Sequence, residues 1–272
     1  MGQALVRELL KSDTERIVIF SRDEFKQYRM KLAISDERLR FFLGDVRDLQ
    51  RLRRAFQDVD CVIHAAALKQ VEAVEFNPFE AVKTNIIGSQ NVIEAALDCG
   101  VRKVLAISTD KAAAPSSLYG ATKLCSERIF LAAKSYAGGG WPLFSVARFG
   151  NIAGSRGSVI PKWRELLKVQ DWVPVTDLEC TRYWITQEDA ACFAIEKLHW
   201  MIGGELSQPE MPAFRIGDLA HAMEAKIRVV GLGVEERLHE DGSDQARRMT
   251  VSELRECLGV LDLKRPKLAV LS

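Results

Sequence analysis

The sequence predicts an α/β fold in which a doubly wound parallel sheet is followed by a small α/β C-terminal cap. Two observations support this prediction. Short apolar runs alternate with helical patterns through the first half of the chain, and after about Gly150 this order loosens into loops rich in Gly, Pro and Trp. Strands separated by helices are typical of a parallel sheet covered on both faces. The chain of 272 residues is long enough to bury a full core.

The elements of the first half follow one another at short intervals. The chain opens in an amphipathic helix, and the apolar runs that predict strands are Arg16–Ser21, Leu39–Leu43, Asp60–Ala67, Val101–Ser108 and Leu143–Arg148. Between them lie helical patterns at Asp23–Leu32, Leu49–Phe56, Pro78–Cys99 and Tyr119–Ala137. These segments predict a first domain over residues 1–150.

The second half predicts a smaller cap over residues 151–272 that is partly interleaved with the first domain. Its helices are expected near Pro161–Leu167, Glu188–Met201, Ile216–Lys226 and Val251–Leu258. The stretch Gly204–Ala213 is rich in turn-forming residues.

Composition excludes several classes of protein. The net charge is +1 and has no basic block, which argues against nucleic-acid binding. The longest apolar runs fall short of the roughly 20 residues that a membrane helix needs. The six cysteines are scattered without a CxxC pair, so we expect reduced thiols and a cytoplasmic protein. The four histidines lack metal-ligand spacing, and no metal site is predicted.

The beginning of the chain resembles the second part of a nucleotide-binding unit. Such folds open with a strand and a glycine-rich turn, whereas this sequence begins at what looks like the end of that turn, Met1-Gly2. We therefore expect the first strand to be missing, which leaves two neighbouring strands with unpaired edges. About 20 residues later, Ser21-Arg22 occupies the position that contacts the cofactor ribose and favours NADP over NAD. A solvated arginine that opens the next helix is the alternative.

The chemistry-bearing segment follows the fourth predicted strand. Ser108-Thr109-Asp110-Lys111 ends this strand, and Tyr119 and Lys123 stand four residues apart at the start of the next helix, on one face. A lysine ammonium favours the phenolate of a neighbouring tyrosine, which makes the tyrosine a usable base. Thr109 is expected to orient a substrate alcohol. Tyr-x-x-x-Lys alone is a weak pattern; its position after the strand-terminal STDK run makes it stronger.

With these motifs the chain resembles the extended short-chain dehydrogenase/reductases, which have a Rossmann-like fold. It resembles in particular the NADP-dependent, inverting UDP-N-acetylglucosamine 4,6-dehydratases that begin pseudaminic acid biosynthesis. Tyr119 favours this group over membrane-linked relatives that often carry methionine there. The matching runs cover nearly the whole chain in order: SRDEFKQ (21–27), GDVRD (44–48), HAAALKQVEAVEFNPFEAVKTNIIGSQNVIEAA (64–96), STDKAAAPSSLYGATKL (108–124), RFGNIAGSRGSVIP (148–161), TRYWIT (181–186) and RLHE (237–240).

The resemblance implies roles for individual residues. Tyr119 would accept the C4 hydroxyl proton, Lys111 would remove the C5 proton, and Asp110 would help the C6 hydroxyl to leave; a surface ion pair is the alternative for Asp110 and Lys111. Lys123 would bind the nicotinamide ribose. The remaining cofactor contacts are expected from Gly2, Ser21, Arg22, Asp45, Val46, Ala65, Ala66 and Lys69.

Substrate contacts are expected mainly from the second half. The resemblance implies that the nucleotide-sugar loop includes Asn151, Arg156 and Val159, and that Arg182 binds the diphosphate. Lys69 and Asn85 would face the sugar. For each of these residues the alternative is a polar side chain that closes a loop.

One departure from the family pattern affects substrate binding. Gly233-Val234-Glu235 replaces the usual Arg-Pro-Gly run, so an arginine expected to grip the diphosphate is missing. Two other readings stay open: a nucleotide-sugar 4-epimerase, which shares Tyr119 and Lys123 but needs no Asp110-Lys111 pair, and a non-catalytic truncated protein. Relatives form dimers or hexamers, so a homo-oligomer is expected.

Overall fold

The computed structural model describes residues 1–233 and 235–263, and divides into two units. The first unit comprises Met1–Phe149 and Gln187–Pro209, and the second comprises Gly150–Thr186 and Glu210–Ser272. Val234, in the run that differs from the family's Arg-Pro-Gly, and the last residues of the predicted cap therefore lie outside the described residues. A segment of the second half, 187–209, thus returns to the first unit.

The first unit alternates helices and strands. Its strands are β1 (Ile17–Ser21), β2 (Leu39–Leu43), β3 (Cys61–His64), β4 (Lys103–Thr109), β5 (Leu143–Phe149) and β8 (Leu206–Ser207). Its helices are α1 (Gly2–Leu9), α2 (Glu24–Ala33), α3 (Leu49–Ala55), α4 (Val71–Phe76), α5 (Pro78–Ala81), α6 (Gly88–Asp98), α7 (Leu118–Ala132) and α9 (Gln187–Trp200). Asp23 and Asp48 cap α2 and α3 by accepting backbone N–H bonds.

The strands of the first unit form two separate parallel sheets. β1 pairs with β2, while β3, β4, β5 and β8 form a four-stranded sheet in that order. Among the described residues, neither β1 nor β3 has a second strand partner. The fold is therefore the predicted Rossmann-like parallel architecture, divided at the expected place.

The helix predicted over Pro78–Cys99 contains a change of pitch. α5 and α6 are joined by a π-helical segment, Val82–Ile87, so the helix continues but widens in its middle. π-helical turns are rare and often mark functional sites. This one carries Thr84 and Asn85, both of which are buried.

Buried apolar side chains connect the layers of the first unit. One cluster joins α3, α6 and α7 to the four-stranded sheet and includes Leu52, Val92, Val104, Phe130 and Phe144. A smaller cluster around Val6, Ile17 and Met30 connects α1 and α2 to the two-stranded sheet. The first of these clusters packs α7 against the four-stranded sheet.

The second unit has its own core and smaller sheets. Its helices are α8 (Val159–Leu166), α10 (Ile216–Ala222) and α11 (Val251–Leu263), and its strands are β6 (Trp172–Val175), β7 (Thr181–Tyr183), β9 (Ala213–Arg215) and β10 (Lys226–Val229). β6 pairs with β10 in parallel and β7 with β9 antiparallel. Trp163, Trp184 and Phe214 lie in the core, so Trp184 packs there instead of forming an open stacking platform.

Glycine is required where α7 begins. A Cβ atom at Gly120 would overlap the carbonyl oxygen of Lys111 and lie 3.1 Å from the Pro115 Cβ. The backbone of α7 therefore reaches the turn after β4 more closely than any residue with a side chain allows.

We expect Gly120→Ala to lower the free energy of unfolding, measured by chemical denaturation. The overlap with the Lys111 carbonyl costs about 1–3 kcal/mol, more than the roughly 1 kcal/mol that alanine gains in a helix. Gly259→Ala is the matched control, because nothing lies within 4 Å of a Cβ at that helical position and the substitution should stabilise. Equal stabilisation by both substitutions would contradict the close approach.

Candidate active site

The end of β4 and the start of α7 form the centre of the site. Asp110–Ala112 makes one 3₁₀ turn directly after Thr109, and the Thr109 hydroxyl accepts the Lys111 N–H at 3.4 Å. The Ser117 hydroxyl caps α7 by accepting the Gly120 N–H at 3.2 Å. The two short caps hold the STDK and Tyr-x-x-x-Lys segments against each other.

Asp110 and Lys111 form an ion pair whose acidic partner is buried. The Lys111 Nζ lies 3.3 Å from Asp110 Oδ1, and the Asp110 side chain is 2% exposed. The same oxygen accepts the Thr109 hydroxyl and the Lys111 N–H, each at 2.9 Å. A surface ion pair, the alternative weighed from the sequence, does not fit this burial.

The second carboxylate oxygen of Asp110 has no hydrogen-bond partner among the described residues. Asp110 Oδ2 is buried, although Oδ1 is crowded with donors. Buried carboxylate oxygens are normally paired, and the exceptions often have a catalytic role or a missing partner. Asp110 Oδ2 is therefore available to exchange a hydrogen bond with a ligand hydroxyl.

Tyr119 is surrounded by the STDK residues. Burial raises the pKa of its phenol; the Lys111 charge and a hydrogen bond with the Thr109 side chain lower this pKa, and the Asp110 charge raises it. The sequence assigned the activating cation to Lys123. The charge of Lys111 also acts on the phenol, so Lys111 is a further candidate for this role, and the role of Lys123 stays a prediction.

Lys123 is buried on the same helix. Its Nζ donates to the Ile107 carbonyl of β4 at 2.8 Å. Burial lowers the pKa of the ammonium to about 8, and the charge of Glu127 opposes this shift. The lysine thus connects α7 to β4 while remaining charged near neutral pH.

A charge network lies at the carboxyl ends of β1 and β2. Arg22 NH1 and Arg47 NH2 lie 3.3 and 2.8 Å from the same Asp45 oxygen, and Arg47 NH1 lies 2.7 Å from Glu80 Oε2. The Ser21 hydroxyl accepts the Asp23 N–H at 3.2 Å. Arg22 and Ser21 are therefore at the expected edge, and Arg47 is an additional cation there that the sequence reasoning missed.

The other predicted cofactor residues divide into exposed and buried positions. Ala65, Ala66 and Lys69 are exposed in the loop after β3. Val46 is buried, and a Cβ at Gly88 would lie 2.8 Å from its Cγ2, so its side chain belongs to the core. Gly2 begins α1, where an added Cβ would meet nothing within 4 Å.

Asn85 positions the loop that carries Lys69. Its side-chain amide donates to the Leu68 carbonyl and the Thr122 hydroxyl, each at 3.0 Å, and its oxygen accepts the Leu68 N–H at 2.8 Å. The side chain is buried and engaged by protein groups. This corrects the expectation that Asn85 faces the sugar.

Arg182 in the second unit is likewise engaged within the protein. Its guanidinium donates to the carbonyls of Thr181, Leu238 and Arg237 and lies 3.6 Å from Glu240 Oε1. The side chain is only 12% exposed. Arg182 therefore ties β7 to residues 237–240, which corrects its assignment to the diphosphate.

The remaining predicted substrate residues differ in accessibility. Arg156 is exposed between Gly154 and Gly157, which have φ of 65° and 72°. Val159 begins α8 and packs against the core of the second unit. Asn151 Oδ1 is buried without a hydrogen-bond partner within the described part of the chain, so it has free capacity to accept a ligand donor.

Sequence reasoning also missed a buried pair behind Lys123. Arg148 donates to both carboxylate oxygens of Glu127, at 3.0 and 2.6 Å. The i, i+4 spacing of Lys123 and Glu127 was the available signal. His64 at the end of β3 is buried, and burial first and the Lys123 charge second lower its pKa to about 3.

The described helices and side chains fit neither a membrane span nor a metal centre. None of the described helices is long and apolar enough to cross a bilayer. Within residues 1–233 and 235–263, no three His, Cys, Asp or Glu side chains cluster as metal ligands.

Comparisons with known proteins place the chain among nucleotide-sugar enzymes. It is 45% identical over 243 residues to the UDP-N-acetylglucosamine 4,6-dehydratase (inverting) of Campylobacter jejuni, covering 88% of this chain and 73% of that protein. It is also 36% identical over 249 residues to the UDP-glucose 4-epimerase of Rickettsia akari, again covering 88% and 73%.

Solved structures agree with the fold. Pen from Bacillus thuringiensis matches with a TM-score of 0.89 and 32% identity, over 96% of this chain and 94% of that one. The dTDP-glucose 4,6-dehydratase DesIV of Streptomyces venezuelae matches with a TM-score of 0.84 and 21% identity, over 97% and 94%, which supports the fold alone. A family model described as polysaccharide biosynthesis protein matches residues 1–257. The chain therefore belongs to the polysaccharide biosynthesis protein family, and its resemblance to the inverting UDP-N-acetylglucosamine 4,6-dehydratases is confirmed.

Proposed function

We propose that this chain is an inverting, NADP-dependent UDP-N-acetylglucosamine 4,6-dehydratase, a hydro-lyase. The product is a UDP-4-keto-6-deoxy-hexosamine inverted at C5, the first intermediate of pseudaminic acid-type biosynthesis. The observation that carries the proposal is the buried Asp110–Lys111 pair beside Tyr119, with one carboxylate oxygen open to a ligand. The 45% identity to the Campylobacter jejuni dehydratase supports the same reaction.

The residues of the first unit suit a nicotinamide dinucleotide. Arg22 and Arg47 supply guanidinium groups for a ribose phosphate, and the exposed Ala65 and Ala66 leave room beside the sheet. Lys123 retains N–H donors beyond its bond to Ile107 for a ribose hydroxyl. A bound nicotinamide would supply the hydride chemistry, as acceptor from C4 and donor to C6, and C5 would then take a proton on the face opposite the one that it lost. The arginines support NADP over NAD.

Tyr119 and Thr109 handle the C4 alcohol. Thr109 orients the hydroxyl, and the phenolate of Tyr119 accepts its proton. Burial raises the pKa of the phenol, so the positive charge of Lys111 is needed to bring the phenolate within reach. The ketone that forms at C4 then acidifies the C5 hydrogen.

The Asp110–Lys111 pair supplies the elimination. Lys111 must be a neutral amine to act as the base, and Asp110 must be a protonated carboxyl to act as the acid. Transfer of one proton from Lys111 to Asp110, whose Nζ and Oδ1 atoms are 3.3 Å apart, produces both. Lys111 then removes the C5 proton, and Asp110 protonates the C6 hydroxyl as it leaves as water.

The UDP part of the substrate is assigned to polar and cationic side chains of the second unit. In the second unit these are Asn151, through its unpartnered buried oxygen, and the exposed Arg156. Lys69 of the first unit is assigned to the sugar; burial and the charge of Lys111 lower the pKa of its ammonium. The nucleotide-sugar substrate and the free cysteines support a cytoplasmic location.

A nucleotide-sugar 4-epimerase is the second candidate, favoured by the similarity to the Rickettsia akari enzyme. An epimerase shares Tyr119 and Lys123 but has no use for the acid–base pair. Incubation of the chain with NADP and UDP-N-acetylglucosamine, followed by mass spectrometry, separates the candidates. Loss of one water without net NADPH formation supports the dehydratase. A mass-neutral product supports the epimerase, and an unchanged substrate with no NADP binding supports a non-catalytic protein.

We expect Tyr119→Phe to reduce kcat for water loss by about 10²–10⁴-fold, because the C4 proton loses its acceptor. Affinity for NADP should change little, since the aromatic ring remains. Tyr136→Phe is the matched control, because Tyr136 is 77% exposed. Undiminished turnover in Tyr119→Phe would remove Tyr119 from the mechanism.

We expect Arg22→Gln to weaken NADP binding about 10–100-fold, the value of one or two charge-assisted hydrogen bonds to phosphate. NAD binding should stay within a factor of about 3, because NAD lacks that phosphate. Arg53→Gln, in an exposed pair with Asp98, is the control. Calorimetric titration of both nucleotides measures the ratio, and an equal loss for both would contradict a phosphate contact.

A further inference from the structure

Lys123 presents a problem of charge burial that the Tyr-x-x-x-Lys motif leaves unsolved. The side chain is buried, and its ammonium donates a hydrogen bond to the Ile107 carbonyl, a neutral acceptor, at 2.8 Å. Transfer of an isolated ammonium into a protein interior favours the neutral amine. A neutral Lys123 is a weaker partner for ribose hydroxyls.

Glu127 lies one helical turn beyond Lys123. The i, i+4 spacing places both side chains on one face of α7. The Glu127 side chain is 2% exposed, and its two oxygens accept a bidentate pair of bonds from Arg148 on β5. Arg148 holds the Glu127 carboxylate in place, because its two charge-assisted bonds fix both oxygens.

We propose that the buried Glu127–Arg148 pair is a positioning device for Lys123, which keeps its ammonium charged and held against the Ile107 carbonyl. Glu127 supplies the negative charge, and Arg148 fixes that carboxylate between α7 and β5. This inference rests on the proposed function only for its consequence in catalysis. The electrostatic claim concerns the unliganded protein.

The other groups around Lys123 do not supply this charge. His64 on β3 is neutral, because burial and Lys123 itself lower the pKa of its ring to about 3. Tyr119, one turn earlier on α7, is neutral at pH 7, since its pKa is raised. Arg148 on β5 is a cation. Of these four neighbours, Glu127 alone is an anion, and its charge raises the pKa of Lys123.

The direct test is a pH titration of the Lys123 ¹³Cε resonance in protein labelled with [¹³C]lysine. Lys123→Arg identifies the resonance by its absence. The wild-type midpoint is expected near 8. In Glu127→Gln it should fall by at least about one pH unit, because the opposing carboxylate is gone. Glu127→Asp keeps the negative charge, so the Lys123 midpoint should stay close to the wild-type value.

A second variant addresses folding. Glu127→Gln removes the carboxylate that accepts two bonds from Arg148, which is destabilising, whereas Glu127→Gln/Arg148→Met removes both charges. The double variant should show the same fall in midpoint. Glu165→Gln, in an exposed pair with Lys168, is the control and should leave the midpoint unchanged. A wild-type midpoint in a folded double variant would overturn the proposal.

Activity provides an independent arm. If the wild type dehydrates UDP-N-acetylglucosamine, the basic limb of the kcat–pH profile of Glu127→Gln should move to lower pH. The displacement should equal the fall in the Lys123 midpoint. A limb that stays in place while the midpoint moves would overturn the catalytic consequence. If the wild type performs no dehydration, the proposed function fails, and the titration still decides the role of Glu127.

Discussion

The close approach of α7 to the turn after β4 is the constraint on which the site depends. Gly120 permits it, because any Cβ there would overlap the Lys111 carbonyl. The approach places Tyr119 among Thr109, Asp110 and Lys111, and it seats the Lys123 ammonium on the Ile107 carbonyl. A helix only slightly further from the sheet would separate the phenol from the acid–base pair. Backbone packing therefore determines the chemistry here.

Burial of paired charges is the second theme of the first unit. Asp110 is paired with Lys111, and Glu127 with Arg148, and both carboxylates are almost fully buried. Such pairs contribute little net stability, because desolvation consumes most of the attraction. Their value lies in protonation states. The charge of Lys111 lowers the pKa of Tyr119, and the charge of Glu127 raises the pKa of Lys123.

Sequence reasoning located the fold and predicted a candidate catalytic segment, because both depend on local patterns. Alternating apolar runs gave the parallel strands, and the spacing of Tyr119 and Lys123 gave one helix face. It misassigned Asn85 and Arg182, which are chemically suited to ligands but are engaged by backbone carbonyls distant in sequence. It did not identify Lys111 as a cation whose charge lowers the pKa of Tyr119. Such choices depend on tertiary distances that no local pattern encodes.

We propose that one cluster of side chains removes hydrogen from C4 and water from C5 and C6 of the same sugar. The most direct measurement follows UDP-N-acetylglucosamine carrying deuterium at C4, incubated with the chain and NADP in ordinary water. The account predicts a 4-keto product that has lost water and carries the deuterium at C6. Deuterium that remains at C4 in a product of unchanged mass, or that is lost to solvent, would contradict it.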